Sequence, residues 1–173
     1  RSALYGFELF GDARVARQFS RVPRVRVRAP RPWPEFVHYC RSARLAVGVA
    51  PLLPGHFNAM RTHVKQFDIT RCGAAGVFTR SEPYAPALDG VAGALLPNEP
   101  ASWVDAIIDL LEDDQRRIAA HARAAAWVAQ ATEVAHGQPV LCCGADAAPG
   151  RAGLFSVLIQ RAGLAVRSLQ GPR

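Results

Sequence analysis

Lysine is almost missing from this sequence. Of its 21 basic residues, 20 are Arg, and the single lysine is Lys65. Arg, Ala and Gly dominate the chain, the bias expected of a GC-rich genome. A high Arg count is then weak evidence of recognition, and the one retained Lys stands out. No C-x-x-C pair exists among Cys40, Cys72, Cys142 and Cys143, and the five histidines show no metal-ligand spacing with them. That excludes a structural zinc site and predicts buried free thiols in a reducing compartment. The longest apolar run, Leu45 to Leu53, has nine residues, against the roughly 20 of a membrane-spanning helix. No signal peptide opens the chain, so the expectation is a cytoplasmic protein without a membrane span. Neither G-x-G-x-x-G nor D-x-D occurs. The first absence argues against an epimerase or another dinucleotide-type enzyme, and the second against a metal-dependent transferase.

What is present is a globular composition. The chain has 173 residues, half of them apolar and a fifth charged, with a formal charge of +7. This excludes a disordered tail, a collagen-like repeat and a disulfide miniprotein. The basic balance permits an anionic ligand or nucleic acid. Seven Arg lie between Arg14 and Arg31, with only Phe19 among them. Single-strand recognition calls for interleaved aromatics, so a solvated face is the better reading and nucleic acid is disfavoured as a partner. The chain starts at Arg1 rather than at Met, and the expectation is a piece of a longer polypeptide.

Hydrophobic periodicity organises the chain. Residues 7–10 read as a strand closed by Gly11-Asp12, and residues 12–21 as a short helix. Residues 25–28 alternate like a half-buried strand. Residues 33–43 read as a helix, and 45–49 as a strand covered on both faces. Pro51, Pro54 and Gly55 make 50–58 a loop. A helix is predicted from Asn58, as its cap, to Cys72, where Gly73 ends it. Then come a strand at 76–79, a polar loop at 80–86, a short strand at 93–96, a helix from Pro100 and an Ala-rich helix over 114–135. Strands alternating with helices predict an α/β fold, a Rossmann-like parallel sheet flanked by helices. Ligands bind such sheets outside the carboxyl ends of the strands. The relevant loops are 50–58 and 79–86.

In the tail, 139–144 reads as a strand, 145–151 as a loop, 153–161 as a helix and 164–166 as a further strand. The division is therefore residues 1–136 as the main domain and 137–173 as something added. That addition is either an extension folding back on the first sheet or the truncated start of another domain.

From residue 44 to residue 128 the ordered features resemble the donor-binding half of bacterial glycosyltransferases with the two-Rossmann, B-type fold. The matching parts are Pro51-Leu52, Phe57-Asn58, Lys65, Asp68, Gly73, Val77-Phe78, Ser81 with Tyr84, Gly90 to Pro97, Trp103, and Arg116 to Arg123. The chain differs in having Asp68 where the family usually has Glu. It has Met60 where many members, often retaining enzymes, carry a second Glu, and Ala75 where a Pro is usual. The resemblance implies the C-terminal half of the fold, without its first strand-helix unit. It implies a nucleotide-diphosphate-sugar donor, no further cofactor and no metal. The acceptor, a saccharide or a lipid-linked sugar, would sit on a missing N-terminal Rossmann half, leaving this chain alone inactive. The competing reading is a non-enzymatic basic module that binds nucleic acid or an anionic partner.

Chemistry assigns roles to the matched residues. A ribose needs a carboxylate to accept its hydroxyls, and a diphosphate needs cations or aligned N–H groups. Lys65 and Asp68 stand three apart and Arg61 four before Lys65, one helical face on the expected helix, beside an apolar face of Met60, Val64 and Phe67. The resemblance assigns Asp68 to ribose and Lys65 to diphosphate, with Arg61 assisting. Ser81 and Tyr84 fall in the phosphate-side loop, and His56 and Asn58 in the loop before the helix. The bland alternatives are a solvated Lys–Asp pair, a helix cap at Asn58 and an incidental His56.

Overall fold

The computed structural model describes residues 5–136 and 157–161. The elements run β1 (Tyr5–Phe10), α1 (Ala13–Phe19), β2 (Val25–Arg28), α2 (Trp33–Ser42), β3 (Val47–Ala50), α3 (His56–Ala59), α4 (Val64–Arg71), β4 (Ala75–Thr79), α5 (Ala85–Leu88), β5 (Ala94–Leu96), α6 (Pro100–Glu112), α7 (Asp114–His136) and β6 (Val157–Arg161). One six-stranded sheet has the order β2-β1-β6-β3-β4-β5. β1 with β2, β3 with β4, and β4 with β5 are parallel. The α/β architecture with parallel strands flanked by helices is as the sequence predicts. Among the described residues no helix is long and apolar enough to cross a membrane.

β3 and β4 are buried at every position. Their alternation feeds two cores. Val47, Val49, Ala75 and Val77 pack with Leu110, Leu111 and Ala120 under α6 and α7. Ala50 and Phe78 face the other way, with Ile69, Cys40, Cys72, Tyr84 and Leu88 under α2, α4 and α5. The height of α4 above the sheet is set at Gly48, where a Cβ would lie 2.7 Å from the Ile69 side chain. Any larger residue there would push the helix off. Gly73, with φ +76°, ends the helical segment as its sequence predicts. Cys40 and Cys72 are buried free thiols, and contact with Cys40 together with burial pushes the Cys72 thiol up.

Four expectations fail. The helix predicted over 58–72 is two helices, α3 and α4, separated at residues 60–63. Asn58 does not cap α4; its Nδ2 donates to the Leu53 carbonyl at 2.9 Å. The packing of Ile69 on Gly48 fixes the phase of α4. It buries Lys65, Gln66, Asp68, Ile69 and Thr70 and leaves Met60 74% exposed and Val64 50% exposed. The apolar face expected at 60, 64 and 67 is thus not the buried one. Residues 157–161, expected as part of a helix, form β6, antiparallel to both β1 and β3. Ladder hydrogen bonds from two flanking strands outweigh a helical period carried by so few residues. The tail elements expected at 139–144, 145–151 and 164–166 lie outside the described residues, as do Cys142 and Cys143.

The Arg-rich stretch is not wholly a solvated face. Glu8, buried in mid-β1, accepts from Arg28 Nη2 at 2.7 Å and from the Tyr39 hydroxyl. The Arg26 guanidinium lies 3.7 Å away on the solvent side, and Arg28 sits over the Tyr39 ring. This network ties β1, β2 and α2 together. Burial pushes the Glu8 carboxyl up, but the bonds from Arg28 and Tyr39 and the charges of Arg28 and Arg26 outweigh it. The net effect holds Glu8 below the usual carboxylate range.

A carboxylate whose folded pKa is depressed stabilises the fold above its unfolded pKa, and that stability is lost as pH falls through the folded one. Melting temperature should therefore decline as pH drops below about 4. Glu8→Gln should cost about 2 kcal/mol at neutral pH and flatten that acid limb. An unchanged acid limb in Glu8→Gln would show that Glu8 is not the group responsible.

Candidate functional site

Parallel strands end on the same edge of a sheet, and the loops leaving them splay apart. At the carboxyl ends of β3 and β4 these loops line an open cavity of about 450 Å³. One wall comes from Leu52, Leu53, Pro54, Gly55, His56, Asn58 and Ala59. The other comes from Thr79, Arg80, Ser81, Glu82 and Pro83, with Asn98 at the base. Loops 50–58 and 79–86 thus meet where the sequence expects them to.

A closed ring of hydrogen bonds holds the two walls. The Leu52 N–H donates to Thr79 Oγ1 at 2.8 Å. The Thr79 hydroxyl donates to Asn98 Oδ1 at 2.8 Å. Asn98 Nδ2 returns to the Leu52 carbonyl at 2.9 Å. The ring joins the ends of β3 and β4 to the turn after β5. Thr79 and Asn98 escape sequence reasoning, because a Thr at a strand end and an Asn after a Pro are ordinary turn chemistry. Only their meeting in space across 19 residues gives them a role.

His56, Asn58 and Ser81 line this cavity. Arg61, Lys65, Asp68 and Tyr84 do not. They form a second group beside it, on the chain segments that continue from each wall. Lys65 and Asp68 lie on α4 and are each only 9% exposed. Arg61 sits in the turn before α4, its guanidinium 5.3 Å from the Phe57 ring centroid. Tyr84 precedes α5, buried with its ring against Phe78.

The electrostatics of this second group are unusual. Burial lowers the pKa of Lys65; Asp68 pulls it back up and Arg61 pushes it further down. Burial raises Asp68, against the opposing pull of Lys65 and Arg71. Burial raises Tyr84, and Arg61 opposes this. Arg61 is therefore an electrostatic neighbour of both Lys65 and Tyr84. Asp68 Oδ1 accepts from Arg71 at 3.4 Å, a pairing the sequence did not single out. Among the described residues, no hydrogen bond or ion pair satisfies the Lys65 ammonium, and none satisfies the Tyr84 hydroxyl. Neither polar tip is sealed, since among the described residues only Arg28 Nε and Gln66 Oε1 are buried without a partner, so the Lys65 ammonium is partly desolvated yet open to solvent, with the exposed Arg61 beside it. Such a group suits an anion that arrives from solution. No set of three or more His, Cys, Asp or Glu among the described residues could hold a metal ion.

Removing the ring should loosen the cavity wall rather than the core. Asn98→Leu leaves the Leu52 carbonyl and the Thr79 hydroxyl without their partner, a loss of about 1–3 kcal/mol. Amide hydrogen exchange should show lost protection at Leu52 and in residues 53–59, with β3 and β4 unchanged. Unaltered protection at Leu52 would show that the ring does not hold the loop.

No protein-family model matches the chain, and no curated protein is significantly similar to it.

Proposed function

We propose that this domain binds the nucleotide-diphosphate-sugar donor of a B-type-fold glycosyltransferase, for transfer to a saccharide or lipid-linked acceptor held by a partner Rossmann half. The observation that carries the reading is Lys65, nearly buried beside Arg61 and without an acceptor among the described residues. The order of features from residue 44 to residue 128, together with a cavity at the strand ends beside this group, gives the cation its context.

In this reading the diphosphate lies against Lys65 and Arg61, with the Tyr84 hydroxyl donating to it. Departure of the nucleotide develops negative charge on the diphosphate. Cations already held there stabilise that charge without reorganising. Asp68 keeps one oxygen for Arg71, and its other oxygen accepts from the ribose hydroxyls. The sugar occupies the cavity, within reach of His56, Asn58 and Ser81. The chemistry asks nothing of a metal, because side-chain cations meet the phosphate charge.

Calorimetric titration tests these roles. Lys65→Ala removes a charge-assisted contact worth about 1.5–3 kcal/mol, so affinity for a nucleoside diphosphate should fall roughly 10- to 100-fold. Lys65→Arg should restore only part of it, since a planar fork does not replace a compact ammonium. Asp68→Asn should weaken nucleoside diphosphate binding and leave inorganic pyrophosphate binding intact, because the carboxylate addresses ribose. Equal affinities across the wild type and all three variants would reject the assignment. A steep salt dependence of polynucleotide binding, with no diphosphate binding, would favour a nucleic-acid module instead.

A further inference from the structure

The three most exposed large apolar side chains among the described residues stand together, on the segment that leaves β3. Leu53 is 72% exposed, Phe57 73% and Met60 74%, and Val64, at the start of α4, is 50% exposed. Single apolar residues scattered over a surface are ordinary, whereas four within twelve residues form a patch. The backbone is shaped to hold this tip out. Gly55, with φ +153°, turns the chain, and a Cβ there would meet nothing within 4 Å. The N–H groups of Asn58 and Ala59 both donate to the Gly55 carbonyl at 3.0 Å, and Asn58 Nδ2 ties back to the Leu53 carbonyl. Backbone and Asn58 thus fix the shape of the tip, and its apolar side chains are left for a surface outside the chain.

The charge on this segment has one sign. No Asp or Glu occurs between Glu35 and Asp68, and Asp68 itself is buried and paired with Arg71. His56 and Arg61 are exposed within the tip, and the Arg61 guanidinium lies over the Phe57 ring. Across the cavity mouth Arg80 and Glu82, both lining the opposite wall, offset each other. Apolar side chains with a cation among them and no carboxylate suit an anionic bilayer surface. The ring and alkyl groups enter the acyl boundary while the guanidinium meets lipid phosphates. A protein partner would need a pocket matched to each protruding side chain, whereas a bilayer deforms around them. The formal charge of +7 draws the whole chain towards such a surface.

We propose that residues 53–64 form a docking tip for an anionic membrane surface, with Leu53, Phe57 and Met60 inserted and Arg61 at the headgroups. This is attachment to a surface and not a span. The same segment forms one wall of the cavity, so docking brings the cavity mouth to the bilayer. The inference stands on exposure and charge, and it holds or fails independently of which ligand the cavity takes. One consequence alone rests on the donor reading: the acceptor would then be the lipid-linked one, presented at the cavity mouth, and not a soluble saccharide.

Co-sedimentation of the chain with phosphatidylcholine vesicles, with and without phosphatidylglycerol, tests this. The chain should pellet with the anionic vesicles and far less with the zwitterionic ones. The double variant Phe57→Ser, Met60→Ser keeps the net charge and alters only exposed positions. It should keep the wild-type melting temperature and lose affinity for anionic vesicles roughly 10- to 100-fold. Phe57→Trp should keep that affinity and gain fluorescence quenching by brominated acyl chains over the wild type. Lys65→Met should still pellet, which separates this surface from the diphosphate reading. Equal binding by the wild type and the double variant would reduce the effect to adsorption of a basic protein and overturn the proposal. No binding to anionic vesicles, or no gain of quenching in Phe57→Trp, would overturn it too. Loss of vesicle binding in Lys65→Met would place the lipid phosphate at Lys65 and reject the tip. A dimer that the double substitution dissociates, without vesicle binding, would assign the tip to a second copy instead.

Discussion

The close approach of α4 to β3 is the contact on which the rest of the structure depends. Gly48 has no side chain, so Ile69 rests directly on the strand. Gly76 does the same on β4, where a Cβ would crowd the Phe78 ring and the Gln66 side chain. With the helix this low, α4 turns its Lys65–Thr70 face inward, polar groups included. One consequence is visible in Gln66. Its amide donates to Thr70 at 2.9 Å, while its Oε1 is sealed without a partner. Another is the burial of Lys65 and Asp68. The local fold thus carries polar groups that a sheet-covering helix would ordinarily turn to solvent, and departures of this kind concentrate at functional sites.

The rim of the sheet divides the work between two neighbouring groups. The cavity between the strand-end loops has its two walls tied together by the Leu52–Thr79–Asn98 ring. The ring's polar atoms are occupied with one another, so Thr79 and Asn98 shape the cavity. Beside it, the nearly buried Lys65 and Tyr84 meet the exposed Arg61 at one corner, with Asp68 balancing part of the charge. In low-dielectric surroundings an anion gains more from such a corner than from the same groups in water. On the proposed reading, that difference is what the single lysine of this chain supplies.

Much of the fold was legible because its signals are local. The continuous apolar run around Val47 and Val49 announces a strand covered on both faces. Gly73 announces a helix end, and the loop after β3 follows from Pro51, Pro54 and Gly55. The break between α3 and α4 was not legible. The segment 58–72 has a helical period, and only the docking of Ile69 on Gly48 decides which face turns inward. β6 was hidden for the same reason: Val157-Leu158-Ile159 suits a helix or a strand until two flanking strands offer their ladders. Within the site, Lys65 and Asp68 could be singled out by charge and spacing. The Thr79–Asn98 contact and the Glu8–Arg28–Tyr39 network depend on residues distant in sequence, which no pattern along one chain reveals.

On the proposed reading, Lys65 is held nearly buried beside Asp68 and Arg61 to meet an anion from solution. Function and stability then pull in opposite directions at this position. Lys65→Met, an apolar replacement of similar length, tests this directly through melting temperatures measured with and without inorganic pyrophosphate. The variant should melt no lower than the wild type, because a partly desolvated charge is removed, and pyrophosphate should no longer raise its melting temperature. A variant that melts lower than the wild type yet keeps the full pyrophosphate shift would contradict it.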